Sequence, residues 1–335
     1  MCPGCGQSPN KVGMSPLHIV IRMDPVDRIA VDKDTSFQIM VAAQARGHHL
    51  YHLGSAAITV DKGQLRFLVS PITAIDRALP QPCHTGPTIS LDQNDVDLVL
   101  IRTDPPFDDA YVHDTWLLDL LPQHIPVVNH PTGIRSVNEK LWACRFPDLL
   151  PPTLVTADRQ ALLDFMAEHD CVILKPTDGF GGQGVFRCPT GDGNALVAYD
   201  CLSGNGQRPV VVQRFVPAAA SGDKRILLLD GEILGAVLRV HAPGDHRNNF
   251  LAGGAPQACT IDDDDRRIVA RLAPHLRALG LLFVGIDVIG GQLIEVNVTS
   301  PTCLQEMMRL GATDLDERIV DRLEQLVAER RQPPT

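Results

Sequence analysis

Asp287 in VGIDVIG, and Glu295 and Asn297 in LIEVNV, place oxygen-bearing side chains in two apolar runs. Glu295 and Asn297 are two positions apart and point to the same side of any strand that holds both. A buried carboxylate without a partner is costly, and the neighbours Val284, Ile286, Val288, Leu293, Ile294, Val296 and Val298 argue against two solvated faces. Mg²⁺ would resolve the conflict, because it takes one or two protein carboxylates and keeps phosphate and water oxygens in its shell. The plainer reading is a solvent-facing polar edge. Shared ligation sets a register condition. A two-residue Gly290-Gly291 turn places Asp287 opposite Ile294, whereas a three-residue bulged loop places it opposite Glu295, and only the second serves a metal.

Upstream, TDGFGGQGVF carries Gly179, Gly181, Gly182 and Gly184. Such density lets successive backbone N–H groups converge on phosphate oxygens without a Cβ in the way. No GK[ST] closes the loop, so it is not a Walker A motif; its lysine, Lys175, stands before it at a strand end. Taken alone, a loop of this kind is more often a flexible hairpin connection. VVVQRFVP (210–217) then reads as a buried strand running into a short connection whose backbone could bond a purine edge. SGDKR follows, with Asp223 placed for a ribose and Arg225 at the start of a strand. Singly, each reads as a surface charge.

These residues need elements to position them. HIVIRM (18–23) is a β-branched strand, and DTSFQIMVAAQARG a helix with Asp34, Thr35 or Ser36 as N-cap and Gly47 as C-cap. HHLYHL and DVDLVLIRTDPP read as further strands, which is the βαβ alternation of a parallel sheet covered by helices. MDP (23–25) and RTDPPFD (102–108) fall beyond its strand ends, where function collects. SVNEKLWACRF reads as a short helix near a proline-rich boundary. Beyond it come CVILKP, VFRC, a helix around 194–203, PVVVQRFV, a hairpin turning at Asp230-Gly231, a helix around 262–280, and the final strands. The organisation expected is a first domain over 14–135 and a second over 136–330.

At 335 residues two domains, or one with a lid, are the prior expectation. The formal charge of −10, without a Lys/Arg block, argues against nucleic acid or anionic membrane as partner. No apolar run suits a membrane span and no leader-like segment opens the chain, which implies a cytoplasmic protein. The nine cysteines read as reduced core thiols; Cys2 and Cys5 form half a zinc knuckle with no second pair, and residues 1–13 read as a disordered extension.

The order NEKLW, ILKP before a glycine-rich loop, VQRFV, GDKR, GID and EVNVTSPT resembles the ATP-grasp fold. With MDP, KDTSF, RTDPPFD and LAGG it is similar, over nearly the whole chain, to the bacterial glutathione synthetase family. The resemblance implies an α/β (α+β) architecture, an ATP-grasp domain behind a Rossmann-like pre-ATP-grasp domain, and a homotetramer. It implies that the first domain is a substrate domain and that the second has a lid at about 150–216 and a C-terminal part at about 217–330. It also implies an ATP-dependent ligase that joins γ-glutamylcysteine to glycine through an acyl phosphate. By resemblance Lys140 and Lys175 hold phosphates, the glycine loop closes over them, Gln213, Phe215 and Val216 bind adenine, and Asp223 the ribose. Asp287, Glu295 and Asn297 hold two Mg²⁺, with Mn²⁺ as an alternative ion. Arg225 stands beside the developing acyl phosphate, where a fixed guanidinium is worth most.

Taken alone HAPGDHRNNFLAGG (241–254) is an ordinary long polar loop; the resemblance implies a mobile covering loop, with Arg239, Arg247, Gly253 and Gly254 on substrate carboxylates. Asp24, Ser36, Arg102 and Asp104 are the candidates for the γ-glutamyl end, and Ser300 and Thr302 for a substrate or product carboxylate. A ligase of the same fold with another acid or amine, and a non-catalytic ATP-binding module, are the alternatives.

Overall fold

The computed structural model describes residues 15–79, 81–241 and 254–332. The expected extension at 1–13, with Cys2 and Cys5, lies outside the described residues.

The N-terminal region forms a seven-stranded sheet from β1 (His18–Arg22), β2 (His49–Asp61), β3 (Gln64–Ile75), β4 (Cys83–Thr85), β5 (Ile89–Asp92), β6 (Leu98–Ile101) and β7 (Val127–Val128). Its order is β4-β3-β2-β1-β6-β7, with β5 on β3. Strands β2, β1, β6 and β7 run parallel, as the βαβ pattern predicts. Helix α1 (Thr35–Ala45) follows β1, and its first turn is capped by Asp34, whose carboxylate accepts from Phe37 N at 2.7 Å. Helices α2 (Asp109–Leu118) and α3 (Pro131–Ser136) flank β7. The long β2–β3 hairpin was not legible: Lys62 and Gly63 turn it with positive φ, and the segment 68–86, which matches no motif, becomes the second half of β3 and β4.

Strands β8 (Thr153–Thr156), β9 (Cys171–Pro176), β10 (Phe186–Pro189) and β11 (Val210–Arg214) form an antiparallel sheet in the order β10-β9-β11-β8, carrying α4 (Arg159–Ala167) and α5 (Ala195–Ser203). A third sheet follows from β12 (Asp223–Leu229), β13 (Glu232–Val240), β14 (Ala255–Gln257), β15 (Phe283–Ile289) and β16 (Gln292–Asn297), in the order β14-β13-β12-β15-β16. It packs with α6 (Asp263–Ala278), α7 (Leu304–Arg309) and α8 (Leu315–Arg331). The turn at Asp230-Gly231 has positive φ at both residues, the primed geometry that suits strand twist.

Two hydrophobic cores mix residues of the first and third sheets, whereas a third core is confined to residues 162–212. The four-stranded sheet therefore has an interior of its own. Asn129, at the end of β7, is buried and ties the first sheet to the third: its Nδ2 donates to Phe283 O and Val298 O, and its Oδ1 accepts from Phe283 N, at 2.7–2.8 Å. The short helix expected over SVNEKLWACRF is instead an Asn138-capped turn followed by a 3₁₀ turn at Trp142–Arg145. Asn138 Oδ1 takes the Lys140 and Leu141 N–H groups, and so competes with a regular helix start.

Candidate active site

The β15–β16 hairpin settles the register in an unexpected way. Gly290 and Gly291 form a two-residue turn with φ of 55° and 72° and Ile289 opposite Gln292, yet Asp287 pairs with Glu295. A β-bulge reconciles the two: Val288 faces Leu293, Asp287 faces Glu295, and Ile294 is the extra residue between them. The expectation of a three-residue loop is corrected, because the additional residue sits inside the strand. Glu295 and Asp287 share a face, and Ile294 joins them on the cleft wall.

That wall belongs to a cavity of about 380 Å³ between the second and third sheets. From the third sheet Asp223, Arg225, Arg239, Asp287, Glu295 and Asn297 line it; Lys140, Lys175 and Gln213 face them, with Gly179, Gly181, Gly182, Phe215 and Val216. Asp104, Ser300 and Thr302 close one end. Sequence positions spread over two hundred residues thus converge on one cleft.

Four charges interlock on its floor. Asp223 and Arg225 stand two apart on β12 and so share a face, Arg225 directly opposite Asp287 and Asp223 directly opposite Arg239. Arg225 Nε donates to Asp287 Oδ1 at 2.5 Å and its Nη2 to Oδ2 at 3.0 Å. Arg239 grips Asp223 with Nε and Nη2 at 2.6 and 2.7 Å, and its Nη2 also stands 3.0 Å from Asp287 Oδ2. Gly285 makes room for the Arg225 stem, since a Cβ there would lie 3.3 Å from Arg225 Cδ. Burial pushes the Asp287 carboxyl up, but the two guanidinium charges outweigh it and hold the group below the ordinary carboxylate range. Burial dominates at Asp223, which is raised despite Arg239. The side chains expected on ribose and substrate carboxylate, Asp223 and Arg239, are therefore bonded to each other.

Lys140 Nζ donates to Gly179 O and lies 3.7 Å from Glu295 Oε1. Lys175 Nζ donates to Gln213 Oε1 at 3.0 Å, and Gln213 Nε2 in turn donates to Thr153 Oγ1 at 2.9 Å. Burial lowers the Lys175 pKa, outweighing the nearby Glu295 carboxylate. Glu139 was overlooked, although it stands in NEK beside Lys140. It lines the cleft, accepts from Thr299 Oγ1 at 3.0 Å, and is raised by burial and by the charge of Glu295. Cys303 also lines the cleft, behind both arginines.

Five candidates stand off the wall. Arg102 is buried behind it, donating from Nε to Ser36 Oγ and from Nη2 to Pro301 O, both at 2.9 Å, while its buried Nη1 has no partner among the described residues. Ser36 is thereby a support for Arg102 and is itself buried. Asp24 accepts from Asp104 N at 2.9 Å, so it positions the residue that does reach the cleft. Gly184 packs on Pro176 and Leu202, and Gly254 leads into β14. Arg247 and Gly253 lie outside the described residues.

The donor set suits a hard divalent cation: two carboxylates and an amide, all oxygen ligands, on one face. Among the described residues no three His, Cys, Asp or Glu side chains gather into a metal-holding group.

A model of the prokaryotic glutathione synthetase N-terminal domain matches residues 17–135, and one of the prokaryotic glutathione synthetase ATP-grasp domain matches residues 139–312. Glutathione synthetase of Rhodopseudomonas palustris is 42% identical over 312 residues, 92% of this chain and 98% of that one. The Nitrosomonas europaea glutathione synthetase is 41% identical over 314 residues, with the same coverage. Among solved structures, D-cycloserine synthetase DcsG superposes with a TM-score of 0.64 at 18% identity, over 94% of this chain and 100% of that chain. The ATP-grasp ligase PsnB, complexed with minimal precursor, Mg and ADP, gives 0.60 at 18% identity, over 92% and 97%. These two speak to the fold. With both domain models matched in order and relatives at about two-fifths identity along most of its length, the chain belongs to the prokaryotic glutathione synthetase family of ATP-grasp ligases.

Proposed function

We propose that this cleft joins γ-glutamylcysteine to glycine with ATP as co-substrate. The cysteinyl carboxylate attacks the γ-phosphorus, the bond to the ADP oxygen breaks, and an acyl phosphate forms. Glycine's amine then attacks the acyl carbon, phosphate departs, and the amine gives up a proton. Phosphoryl transfer of this kind asks the protein for alignment and charge neutralisation more than for covalent chemistry. Lys175 supplies positive charge from the lid, Lys140 supplies it from beside Glu295, and Arg225 from the floor. Gln213, Phe215 and Val216 are the adenine partners in this reading; the Phe215 N–H itself donates to Cys171 O. Asp104 with Ser300 and Thr302 receives the peptide substrate, held from behind by Arg102.

Asp287, Glu295 and Asn297 would hold Mg²⁺, two ions in this reading with Mn²⁺ as an alternative; the metal would neutralise phosphate charge during transfer. The single observation that carries the proposal is the bulged register, which sets Asp287 and Glu295 side by side, with Lys140 3.7 Å from Glu295. The test is coupled ADP release with γ-glutamylcysteine and glycine against a panel of other acids and amines. Turnover that needs both named substrates supports it, and equal turnover with an unrelated acid sinks the substrate assignment.

The same reading takes residues 14–135 as the substrate domain, 150–216 as the lid and 217–330 as the C-terminal part. A homotetramer in the cytoplasm completes it. The exposed Leu68, Trp116 and Leu120 are apolar surface that an assembly would cover. The buried free thiols of Cys83, Cys188 and Cys303 suit a reducing compartment, and among the described residues no helix is long and apolar enough to cross a membrane.

A further inference from the structure

The side chains of Arg225, Arg239, Asp223 and Asp287 are each 6–13% exposed, and their two positive and two negative charges cancel. The set is complete as it stands. Asp287 accepts from Arg225 on Oδ1 and from both Arg225 and Arg239 on Oδ2, so three guanidinium nitrogens occupy its two oxygens. Glu295 differs: its side chain is 21% exposed and its charged neighbour Lys140 stands 3.7 Å away. A metal ligand needs a lone pair at about 2.1 Å from Mg²⁺, in the space the Arg225 hydrogens now fill. Two more positive charges beside two guanidinium groups in a dry site would also repel strongly.

We propose that Arg225 and Arg239 act as placeholder cations on Asp287, so that the protein rejects a free divalent ion and accepts one only together with a polyphosphate. Phosphate oxygens arriving with the ion take the guanidinium N–H groups in the fork geometry arginine favours, and Asp287 is released to the metal. The arginines thus determine the specificity of the floor for metal–nucleotide over metal, a role beyond stabilising transferred charge. This rests on the reading that Asp287 is a metal ligand.

The test uses Mn²⁺ alone as probe, its free fraction read by electron paramagnetic resonance in the full-length protein without nucleotide. Arg225→Gln uncovers Asp287 Oδ1 and is expected to bind Mn²⁺ about tenfold more tightly than the unsubstituted protein, while Arg225→Lys, which keeps the charge, gains less. Equal affinity in all three proteins overturns the proposal. Should Arg225→Gln fail to fold by circular dichroism, the unsubstituted protein still decides. Binding of free Mn²⁺ below about 100 μM that is lost in Asp287→Asn refutes it, and binding weaker than about 1 mM supports it. A separate arm with Mn²⁺ and ADP addresses the underlying reading. Asp287→Asn should weaken that complex, and if it does not, Asp287 is no ligand and the metal assignment fails independently of the placeholder role.

Discussion

Two antiparallel hairpins face each other across the cleft and solve opposite problems. In the floor hairpin, β15 and β16 are joined by two glycines and braced by backbone bonds from Leu293 N to Leu149 O and from Val296 N to Glu139 O. In the lid hairpin, β9 and β10 are joined by residues 177–185, and their interior belongs to the small core confined to 162–212. The floor shares its hydrophobic cores with the N-terminal sheet. Strands β9 and β10 carry Lys175 and the glycines on a core of their own. Division of labour between a fixed floor and a separately packed cover is what an intermediate that hydrolyses in water requires.

The contrast can be broken at its strongest point first. Glu295→Ala and Asn297→Ala should each lower kcat by about a thousandfold, with unchanged circular dichroism, as removal of preorganised charge does; near-normal turnover in both would remove the floor's chemical role. Next comes the separateness of the cores. Leu162→Ala should cost about 3 kcal/mol and lower hydrogen-exchange protection in β8–β11 while sparing β12–β16. Asn129→Ala leaves buried backbone groups of Phe283 and Val298 unpaired, and should cost about 2 kcal/mol with the opposite exchange pattern. If either substitution loosened both sheets alike, the two-body description would be wrong.

Smaller effects sharpen it. Ile294 is the bulge residue on the cleft wall, so Ile294→Ala should raise the ATP KM about tenfold with little change in kcat; steady-state kinetics at saturating peptide and glycine check this. The smallest effect lies behind the floor, where Asp262 and Asp265 form a reciprocal cap on α6 and Lys224 reaches both. The Asp265 N–H, and then Lys224, lower the Asp262 pKa. A carboxyl depressed in the folded state adds stability above its ordinary pKa of about 3.9 and loses it as pH falls further. Asp262→Ala should therefore cost about 1 kcal/mol in urea melts at pH 7 and much less near pH 3, and an equal cost at both would show that charge plays no part.

What could be read from sequence follows how local the cause is. The start of α1 was legible because Asp34 caps it from within three residues, and the glycine loop because a lysine and four glycines lie together. The register of β15 and β16 was half legible: the need for Asp287 opposite Glu295 follows from chemistry, but whether the extra residue sits in the loop or the strand depends on cross-strand packing of Val288 on Leu293. The bonding of Asp223 to Arg239 was hidden, since only the β12–β13 pairing reveals that residues sixteen apart are opposite. Glu139 went unread for a similar reason. Its partner Thr299 lies 160 positions away, and no spacing rule spans that distance.

The Asn129 side chain also orders events in time. It is synthesised 154 residues before Phe283, so its amide leaves the ribosome well before β15 does. We expect the floor to be assembled against this ready-made template as the last sheet of the chain. The nascent protein would then gain the charges of the floor only after the whole N-terminal sheet has been synthesised.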